Sequence, residues 1–464
     1  MELKGLERFT NEEQQLIYKA YCFAKENHDK YTKPRRSGEP YITHPVAVAK
    51  ILIGWNEDVK TVVAGLLHDI LEDTPINQKQ LAKEFGKDIA NLVDSVTKVT
   101  NFDISKEEIT FATDRKFMIA LTRDVRTAKI KLADRLHNMR TSEFWNHETQ
   151  IRKSKENFAV YIPVAESIGA WRVKQELEDI SFCYLKPDEY QLNKDKVLYV
   201  QNSFGDRVAS AKKKISRKLK ENNIDVIKIK EQYKSAWGLY QAITLKEQKI
   251  LRLEDLISIK IILNDVKDCY STLGVVNKLF HTKKVTDLIS SPKLNGYQSL
   301  HSHSVISEDF NALIKIRDYL MEQKATNGLS YEEYKKIGGM KLFQVISTLQ
   351  KTELNNQDFL QTISQMFYGE KVVFFDLSGR RYELPLGATV TDAAYFLHTE
   401  IGSHMTRVSI NGELVLFDHE LKDGDTIKVF KDKEMSLETL KMHLEAARTN
   451  YTKAAIKREL TRVK

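Results

Sequence analysis

From residue 11 to about residue 184 the apolar positions recur at helical spacing, and the pattern predicts an all-helical region. Residues 12–28 place Leu16, Ala20, Phe23 and Ala24 on one face, residues 45–55 open with Pro45 at a first-turn position, and residues 77–98 repeat the pattern with Leu81, Phe85, Ile89, Leu92 and Val96. After Lys186-Pro187 the character changes. A long helix is expected over about 189–222, then strands at 225–230 and 256–263, a helix at 269–280 and a strand at 299–305. Between 371 and 430 short β-rich runs such as Val372-Val373-Phe374-Phe375 and Thr426-Ile427-Lys428-Val429 alternate with the turn signals Ser378-Gly379, Asn411-Gly412 and Asp423-Gly424-Asp425. Residues 436–464 read as one amphipathic helix, with Leu437, Leu440, Leu444, Ala447 and Tyr451 in register, and a packed or partner-facing role is preferred for it over membrane or RNA binding. The expected division is therefore 1–186, 187–350, a linker at 351–370, a small β domain at 371–432 and a helical tail at 433–464.

A length of 464 residues fits about three domains. The net charge of +8 suits phosphorylated ligands as readily as nucleic acid, so partners have to be argued from sites. Cys22, Cys183 and Cys269 form no CxxC spacing, which argues against a disulfide framework or a thiolate zinc site and fits a reduced cytosol. The polar N-terminus lacks the apolar core of a signal peptide, and no run approaches the roughly 18 apolar residues of a membrane span. A cytoplasmic protein without membrane contact is expected.

One stretch stands out against this background: Leu66-Leu67-His68-Asp69-Ile70-Leu71-Glu72-Asp73-Thr74 sets an imidazole and three carboxylates among apolar residues. Unpaired buried charge is costly, so such clusters are usually neutralised by a metal or by specific partners. On a continuous helix Glu72 falls four residues after His68 and three after Asp69, and Asp73 four after Asp69, so the group shares one face. His44, just before Pro45, and Asp134, in Lys131-Leu132-Ala133-Asp134-Arg135-Leu136-His137-Asn138-Met139-Arg140-Thr141, complete a candidate set of two imidazoles and two carboxylates. That donor set suits Mn²⁺ or a similar ion with positions left for water. An ion of this kind lowers the pKa of water and points to hydrolysis.

These residues carry a resemblance. His44, the His68-Asp69 doublet and Asp134 resemble the ligand set of the HD phosphohydrolase superfamily. Three longer words, Arg35-Arg36-Ser37-Gly38-Glu39-Pro40-Tyr41-Ile42-Thr43-His44-Pro45, His68 through Thr74, and Lys131 through Thr141, are similar to the hydrolase domain of RelA/SpoT homologues, which make and degrade the guanosine alarmone (p)ppGpp. The resemblance implies removal of the 3′-pyrophosphate from guanosine tetra- or pentaphosphate, giving GDP or GTP. It implies Mn²⁺ on His44, His68, Asp69 and Asp134, with Glu72 and Asp73 as the catalytic pair that handles the attacking water. Arg35 matches a residue that stacks on guanine, Asn138 and Thr141 match nucleoside contacts, and Ser37 and Lys116 complete the expected substrate-binding group, Lys116 standing with Arg115 near the phosphates. His137 is assigned to packing or hydrogen bonding, and Arg135 and Arg140 are divided evenly between helix-holding and substrate roles.

The second region resembles the family's synthetase domain, with losses. Ser291-Pro292-Lys293-Leu294-Asn295-Gly296-Tyr297-Gln298-Ser299-Leu300-His301 matches the word that binds the guanine nucleotide acceptor, so Tyr297, Gln298 and His301 are candidate contacts, and Asp255 matches a magnesium-binding carboxylate. On the ATP side Ile229 and Glu231 stand where an arginine and a lysine are usual, Lys260 replaces an arginine, the usual Arg-x-Lys-Asp word reads Lys284-Val285-Thr286-Asp287, and Leu313 takes the place of the catalytic glutamate in Leu313-Ile314-Lys315-Ile316-Arg317. Pyrophosphoryl transfer needs those charges, so an inactive synthetase domain is expected, leaving open whether it binds a regulatory guanine nucleotide or is a structural remnant. Leu384-Pro385-Leu386-Gly387-Ala388-Thr389 and Thr391-Asp392-Ala393-Ala394-Tyr395-Phe396-Leu397-His398-Thr399 resemble a TGS domain, a ubiquitin-like β-grasp module whose His398 counterpart faces RNA on the ribosome, while a lone histidine at a helix end is equally read as structural. Without the further domains that follow TGS in long members, ribosome or tRNA docking is doubtful, and the oligomeric state is left open. The full fold expectation is thus multidomain: an all-α HD-type domain, an α+β nucleotidyltransferase-like domain, a β-grasp TGS domain and a C-terminal helix. Two rival functions stand beside hydrolysis, a bifunctional synthetase/hydrolase and a non-catalytic alarmone-binding regulator, and a related 3′-phosphorylated nucleotide such as NADPH is a further substrate class.

Overall fold

The computed structural model describes residues 3–98, 106–245, 256–293, 295–308, 310–337, 370–432 and 436–463, together with 346, 349, 355, 358, 359, 362 and 363. Two compact units result: residues 1–146, 159–167 and 329–464 form one, and residues 147–158 and 168–328 the other.

The first unit opens with eight helices, α1 (Asn11–Tyr31), α2 (Thr43–Gly54), α3 (Val59–Leu67), α4 (Ile70–Asp73), α5 (Gln78–Phe85), α6 (Lys87–Val96), α7 (Lys106–Leu121) and α8 (Val125–Arg140). Their starts are written in the sequence. Thr10 and Glu13 form a reciprocal capping box on α1, Asp58 caps α3 and Asp124 caps α8. The expected helix over 77–98 is two helices, because Gly86, at φ 85°, turns the chain between α5 and α6.

The expected continuity of 66–74 also fails. α3 stops at Leu67, His68 and Asp69 form a turn, and α4 resumes at Ile70 with Glu72 and Asp73 donating their N–H groups to the Asp69 carbonyl. α3 is the centre of the unit, buried from Thr61 to Leu67. Its close approach to α2 depends on Gly65, where a Cβ would stand 2.4 Å from Leu52 Cδ1. α8 carries four buried cations, Arg126, Lys129, Lys131 and Arg135, and Lys129 is neutralised by the equally buried Glu57 at 2.8 Å.

The second unit is built on a five-stranded sheet of β1 (Val226–Tyr233), β2 (Ile257–Leu263), β3 (His281–Asp287), β4 (Leu300–Ser307) and β5 (Phe310–Asp318), in the order β1-β2-β5-β4-β3. β2 and β5 run parallel and the other pairs antiparallel. One face is core: Ile259, Ile261, Ile314 and Ile316 pack with Ala211, Ile215 and Leu219 of the helix Pro187–Glu221 and with Val275 and Val276 of the helix Val266–Leu279. This unit realises the α+β expectation, and the predicted strands and helices recur within a few residues of their expected bounds.

A second sheet lies in the first unit: β6 (Lys371–Asp376), β7 (Arg381–Pro385), β8 (Met405–Ile410), β9 (Glu413–Val415) and β10 (Asp425–Lys431), ordered β7-β6-β10-β8-β9 with β6 and β10 parallel. The tail is two helices, Leu437–Ala446 and Asn450–Val463, not one. The break has a cause in Asp392, whose buried carboxylate caps its own helix through Thr389 and also accepts from the N–H groups of Arg448 and Thr449. Tyr395, Ala447, Ala455 and Ile456 close over it, so the tail is packed, as expected. Among the described residues no helix is long and apolar enough to cross a membrane.

Gly65→Val should lower the unfolding free energy by about 1–3 kcal/mol through overpacking against Leu52. Urea unfolding reads this directly, and an unchanged midpoint would show that the α2–α3 approach tolerates a side chain.

Candidate metal centre and its surroundings

α2, the α3–α4 turn and α8 each deliver donors to one point. His44 Nε2 lies 3.2 Å from His68 Nε2, 3.2 Å from Asp134 Oδ1 and 3.6 Å from Asp69 Oδ2, while His68 Nε2 lies 3.2 Å from Asp69 Oδ2 and 3.8 Å from Asp134 Oδ1. Ligand atoms about 2.1 Å from a shared ion stand about 3.0–3.4 Å apart, so this spacing is that of a coordination shell. The donor atoms of His44, His68 and Asp134 lie within 4.8 Å of one another, whereas Asp69 approaches the two histidines at 3.6 and 3.2 Å but is not one of that mutually close set. Two imidazole nitrogens turned toward each other beside two carboxylates require a positive centre, either a proton or an ion. With a proton there, burial would lower the His68 imidazolium, but the charges and hydrogen bonds of Asp69 and Asp134 overcome it and raise it to about 10. Asp69 and Asp134 are held well below the ordinary carboxylate range, against their burial, Asp134 chiefly by Lys131 and Asp69 by His68.

The surrounding groups fix the ring orientations. His68 Nδ1 lies 2.9 Å from the Gly65 carbonyl and donates to it, which leaves Nε2 as the free lone pair. His44 Nδ1 lies 2.8 Å from His137 Nδ1, so a His44 that ligates through Nε2 donates its Nδ1 proton to His137. Burial, then the His44 charge, lowers His137 to about 3, which keeps it a neutral acceptor and matches the hydrogen-bonding role expected for it. Asn138 Nδ2 donates to Asp134 Oδ1 at 2.5 Å, and Lys131 Nζ stands 3.5 Å from Asp134 Oδ2.

The catalytic candidates part company. Asp73 Oδ2 accepts from the Tyr41 hydroxyl at 2.7 Å, and the same hydroxyl is 2.8 Å from Asp69 Oδ2. Partial desolvation raises the Asp73 carboxyl, the Tyr41 hydrogen bond opposes the shift, and the charges of Asp69 and Glu72 add to it. Glu72 turns elsewhere, accepting from the Lys98 N–H at 2.6 Å and from Lys98 Nζ at 2.5 Å. The helix break at His68-Asp69 sits between the ligands and this pair, so the shared face expected from continuous helical spacing is not the arrangement found.

Among the substrate candidates, Arg35 Nη2 reaches Asn138 Oδ1 at 3.4 Å and Thr141 Oγ1 at 3.3 Å, which brings three of the five together at the end of α8, the helix that carries Asp134. Ser37 sits in the turn after Arg35 with its hydroxyl 3.4 Å from Glu39. Lys116 is not brought to this cluster. Its ammonium is taken by the Asp94 and Thr97 carbonyls, and it lines a cavity of about 730 Å³ that contains none of the metal donors. In the second unit Tyr297 Oη lies 2.9 Å from His301 Nε2 and accepts from Arg317 Nη2 at 3.2 Å, while Gln298 donates to the Ile289 carbonyl. Asp255 lies outside the described residues. Tyr41 and Lys98 were missing from the sequence-based set. Tyr41 lies inside the quoted Arg35–Pro45 word, three residues before His44, whereas nothing in the sequence ties Lys98 to Glu72.

A helical unit with two histidines and two aspartates converging from three helical segments defines the class as an HD-type metal-centre protein. Residues 20–171 match the HD domain, residues 231–338 match the region found in RelA/SpoT proteins, and residues 372–431 match the TGS domain. The chain belongs to the RelA/SpoT family. It is 34% identical over 434 residues to a probable guanosine-3′,5′-bis(diphosphate) 3′-pyrophosphohydrolase of Synechocystis, covering 90% of this chain and 57% of that one. It is 32% identical over 426 residues to the bifunctional (p)ppGpp synthase/hydrolase SpoT of Escherichia coli K12, covering 89% and 60%, and 33% identical over 436 residues to a probable GTP pyrophosphokinase of Mycobacterium leprae, covering 90% and 55%. The chain thus spans less than two thirds of the length of these relatives.

His137→Phe should weaken divalent-ion binding about 10- to 100-fold by removing the acceptor that orients His44. Titration calorimetry with Mn²⁺ checks this, and wild-type affinity would mean that packing alone orients the ring.

Proposed function

We propose that this protein is a (p)ppGpp 3′-pyrophosphohydrolase whose synthetase-like domain does not turn over. The observation that carries this reading is the convergence of His44, His68, Asp69 and Asp134 with the Asp73 carboxylate tied to the ligand Asp69 through one tyrosine hydroxyl. The names of the Synechocystis and E. coli relatives agree with the hydrolase part of this reading, and the E. coli name includes synthesis as well. We assign residues 1–186 to hydrolysis, 187–350 to the synthetase-like domain, 351–370 to a linker, 371–432 to the TGS domain and 433–464 to the tail, in a cytoplasmic protein.

The donor set of two imidazoles and two carboxylates fits Mn²⁺, which when bound supplies Lewis acidity at the phosphate and a more acidic water. The rest is done by side chains. Water adds to the phosphorus attached to the ribose 3′-oxygen, the bond from phosphorus to that oxygen breaks, pyrophosphate departs, and the 3′-oxygen takes up a proton. Asp73 receives the proton from the water. Its raised carboxyl is matched to that task, and the Tyr41 hydroxyl, with one proton between two carboxylates, fixes Oδ2 in place. Glu72 acts beside it by ordering Lys98, whose side chain stays 62% exposed and can meet a phosphate. Arg35, Asn138 and Thr141 form the nucleoside side of the pocket, with Arg35 stacking on the base and Ser37 in the same turn.

The bifunctional alternative is disfavoured by Leu313. It lines the second unit's cavity, among whose described lining residues there is no carboxylate to take a 3′-hydroxyl proton. Incubation with ATP and GTP, followed by anion exchange, should give no pentaphosphate, and robust synthesis would overturn this part of the reading.

Purified protein should release pyrophosphate from pppGpp with Mn²⁺ and stop on addition of chelator. Asp73→Ala should lower kcat by about 10²–10⁴-fold while Mn²⁺ binding persists. Intact pppGpp in the presence of Mn²⁺, with binding retained, would favour a non-catalytic alarmone sensor instead.

A further inference from the structure

The buried stripe of α1 ends on a residue that the hydrolytic machinery described above does not include. Ile17, Ala20 and Ala24 are fully buried, and His28, the next position on the same face, is 1% exposed where an apolar side chain is expected. Its backbone is fixed by the end of the helix, because the His28 carbonyl accepts from the Thr32 N–H at 2.9 Å and from the Thr32 hydroxyl at 2.7 Å. Its ring is a different matter. Neither Nδ1 nor Nε2 has a hydrogen-bond partner among the described residues. Burial lowers the imidazole to about 4, against the charge of Asp69, so the ring is neutral near neutral pH. With both nitrogens idle, what the ring offers its surroundings is a flat face.

That face lies on Tyr41. The two rings stack with centroids 4.6 Å apart and planes 28° from parallel, and His44 meets the same tyrosine ring at 86° and 6.3 Å. The stack supplies something that the tyrosine hydroxyl lacks. Its oxygen lies 2.8 Å from Asp69 Oδ2 and 2.7 Å from Asp73 Oδ2, yet a phenol has one proton to donate. When both carboxylates are ionised, as a base at Asp73 requires, a hydroxyl held by hydrogen bonds alone would turn toward one and leave the other. Close approach to both needs a constraint on the ring itself, and His28 provides it.

The chain between the two rings is closed separately. The Arg35 N–H donates to the Glu39 carbonyl and the Gly38 N–H to the Arg35 carbonyl, both at 2.9 Å. The turn that carries Arg35 and Ser37 is therefore held by its own backbone, which separates the nucleoside side of the pocket from the stack.

We propose that His28 is a positioning residue for hydrolysis, whose ring face clamps Tyr41 so that the hydroxyl stays on Asp73. It acts on the reaction only through Tyr41. The proposal rests on the reading of Asp73 as the group that receives the proton from water, and the placement of the ring is measured apart from that reading.

Three variants of the full chain separate a flat face from mere filling. His28→Leu fills the stripe with apolar atoms but has no ring, His28→Phe keeps a ring without nitrogens, and Tyr41→Phe removes the hydroxyl that is being placed. With Mn²⁺ and pppGpp, we expect His28→Leu to lower kcat about three- to tenfold, the equivalent of one aromatic pair, with KM and Mn²⁺ affinity unchanged. Its Tm should not fall, because two unpaired buried nitrogens are removed. His28→Phe should retain the wild-type kcat. In the Tyr41→Phe background His28→Leu should lower kcat no further, since no hydroxyl is left to place. A crystal structure of His28→Leu should show the Tyr41 hydroxyl beyond hydrogen-bond distance of Asp73, or the ring in a second rotamer. An unmoved Tyr41, or wild-type kcat in His28→Leu, would overturn the proposal. So would a loss of kcat accompanied by lower Tm, raised KM and weaker Mn²⁺ binding, which is the mark of a general structural role. If the wild-type protein left pppGpp intact, the hydrolase reading would fall, and the place of Tyr41 in the His28→Leu crystals would still decide whether His28 clamps it.

Discussion

The helical unit is organised by one electrostatic constraint: two carboxylates and two imidazoles are enclosed together at the point where α2, the α3–α4 turn and α8 meet. Asp69 and Asp134 cannot both stay ionised in a dry helical core without a positive centre between them. The helices serve that requirement. α3 is buried from Thr61 to Leu67 and packs against α2 through Gly65, which carries His68 to within 3.2 Å of His44. The same glycine offers its carbonyl to His68 Nδ1, so one residue sets both the position and the tautomer of a ligand. The turn at His68-Asp69 then lets the chain change direction before Asp73, and that change brings the Asp73 carboxylate to the Tyr41 hydroxyl.

The synthetase-like unit presents the reverse problem. Its sheet has an apolar face that any β-sheet core would have and an opposite face crowded with lysine. Compensation is partial and local: Glu322 pairs with Lys230 and Arg317, and its charge also acts on Lys260.

Much of this was legible in the sequence, and the failures have physical reasons. Periodicity located α1, α2, the long helix Pro187–Glu221 and the strands β1, β2, β4, β6, β8 and β10, because burial on one face imposes a period whatever the partner is. It missed the breaks at Gly86, at His68-Asp69 and before Asn450, where a single backbone conformation or a distant cap decides. The cap at the tail comes from Asp392, more than fifty residues away. The candidate donors stood out because charged residues inside apolar words demand compensation, and the order of the words made the family recognisable. The orientation of Glu72 could not be read, since it depends on Lys98, which helix packing brings near from 26 positions away. Lys116 was expected near the phosphates from its place in the sequence, but the end of α6 captures its ammonium.

The lysine row was hidden for a different reason. In a strand that alternates isoleucine with lysine, the simplest reading is a half-buried strand with a solvated face, and β2 and β5 each fit it alone. Strand order changes the meaning. Once β2 and β5 are adjacent and parallel, the outward positions of both fall in one row, and each lysine is only half-buried beside the next. Charge that looks ordinary along the chain becomes crowded across it. The five departures from the synthetase pattern are then not all of one kind. Leu313 stands where the resemblance expects a carboxylate, whereas Lys260 keeps a cation at its position, so the departures differ in what they do to the charge of the cavity.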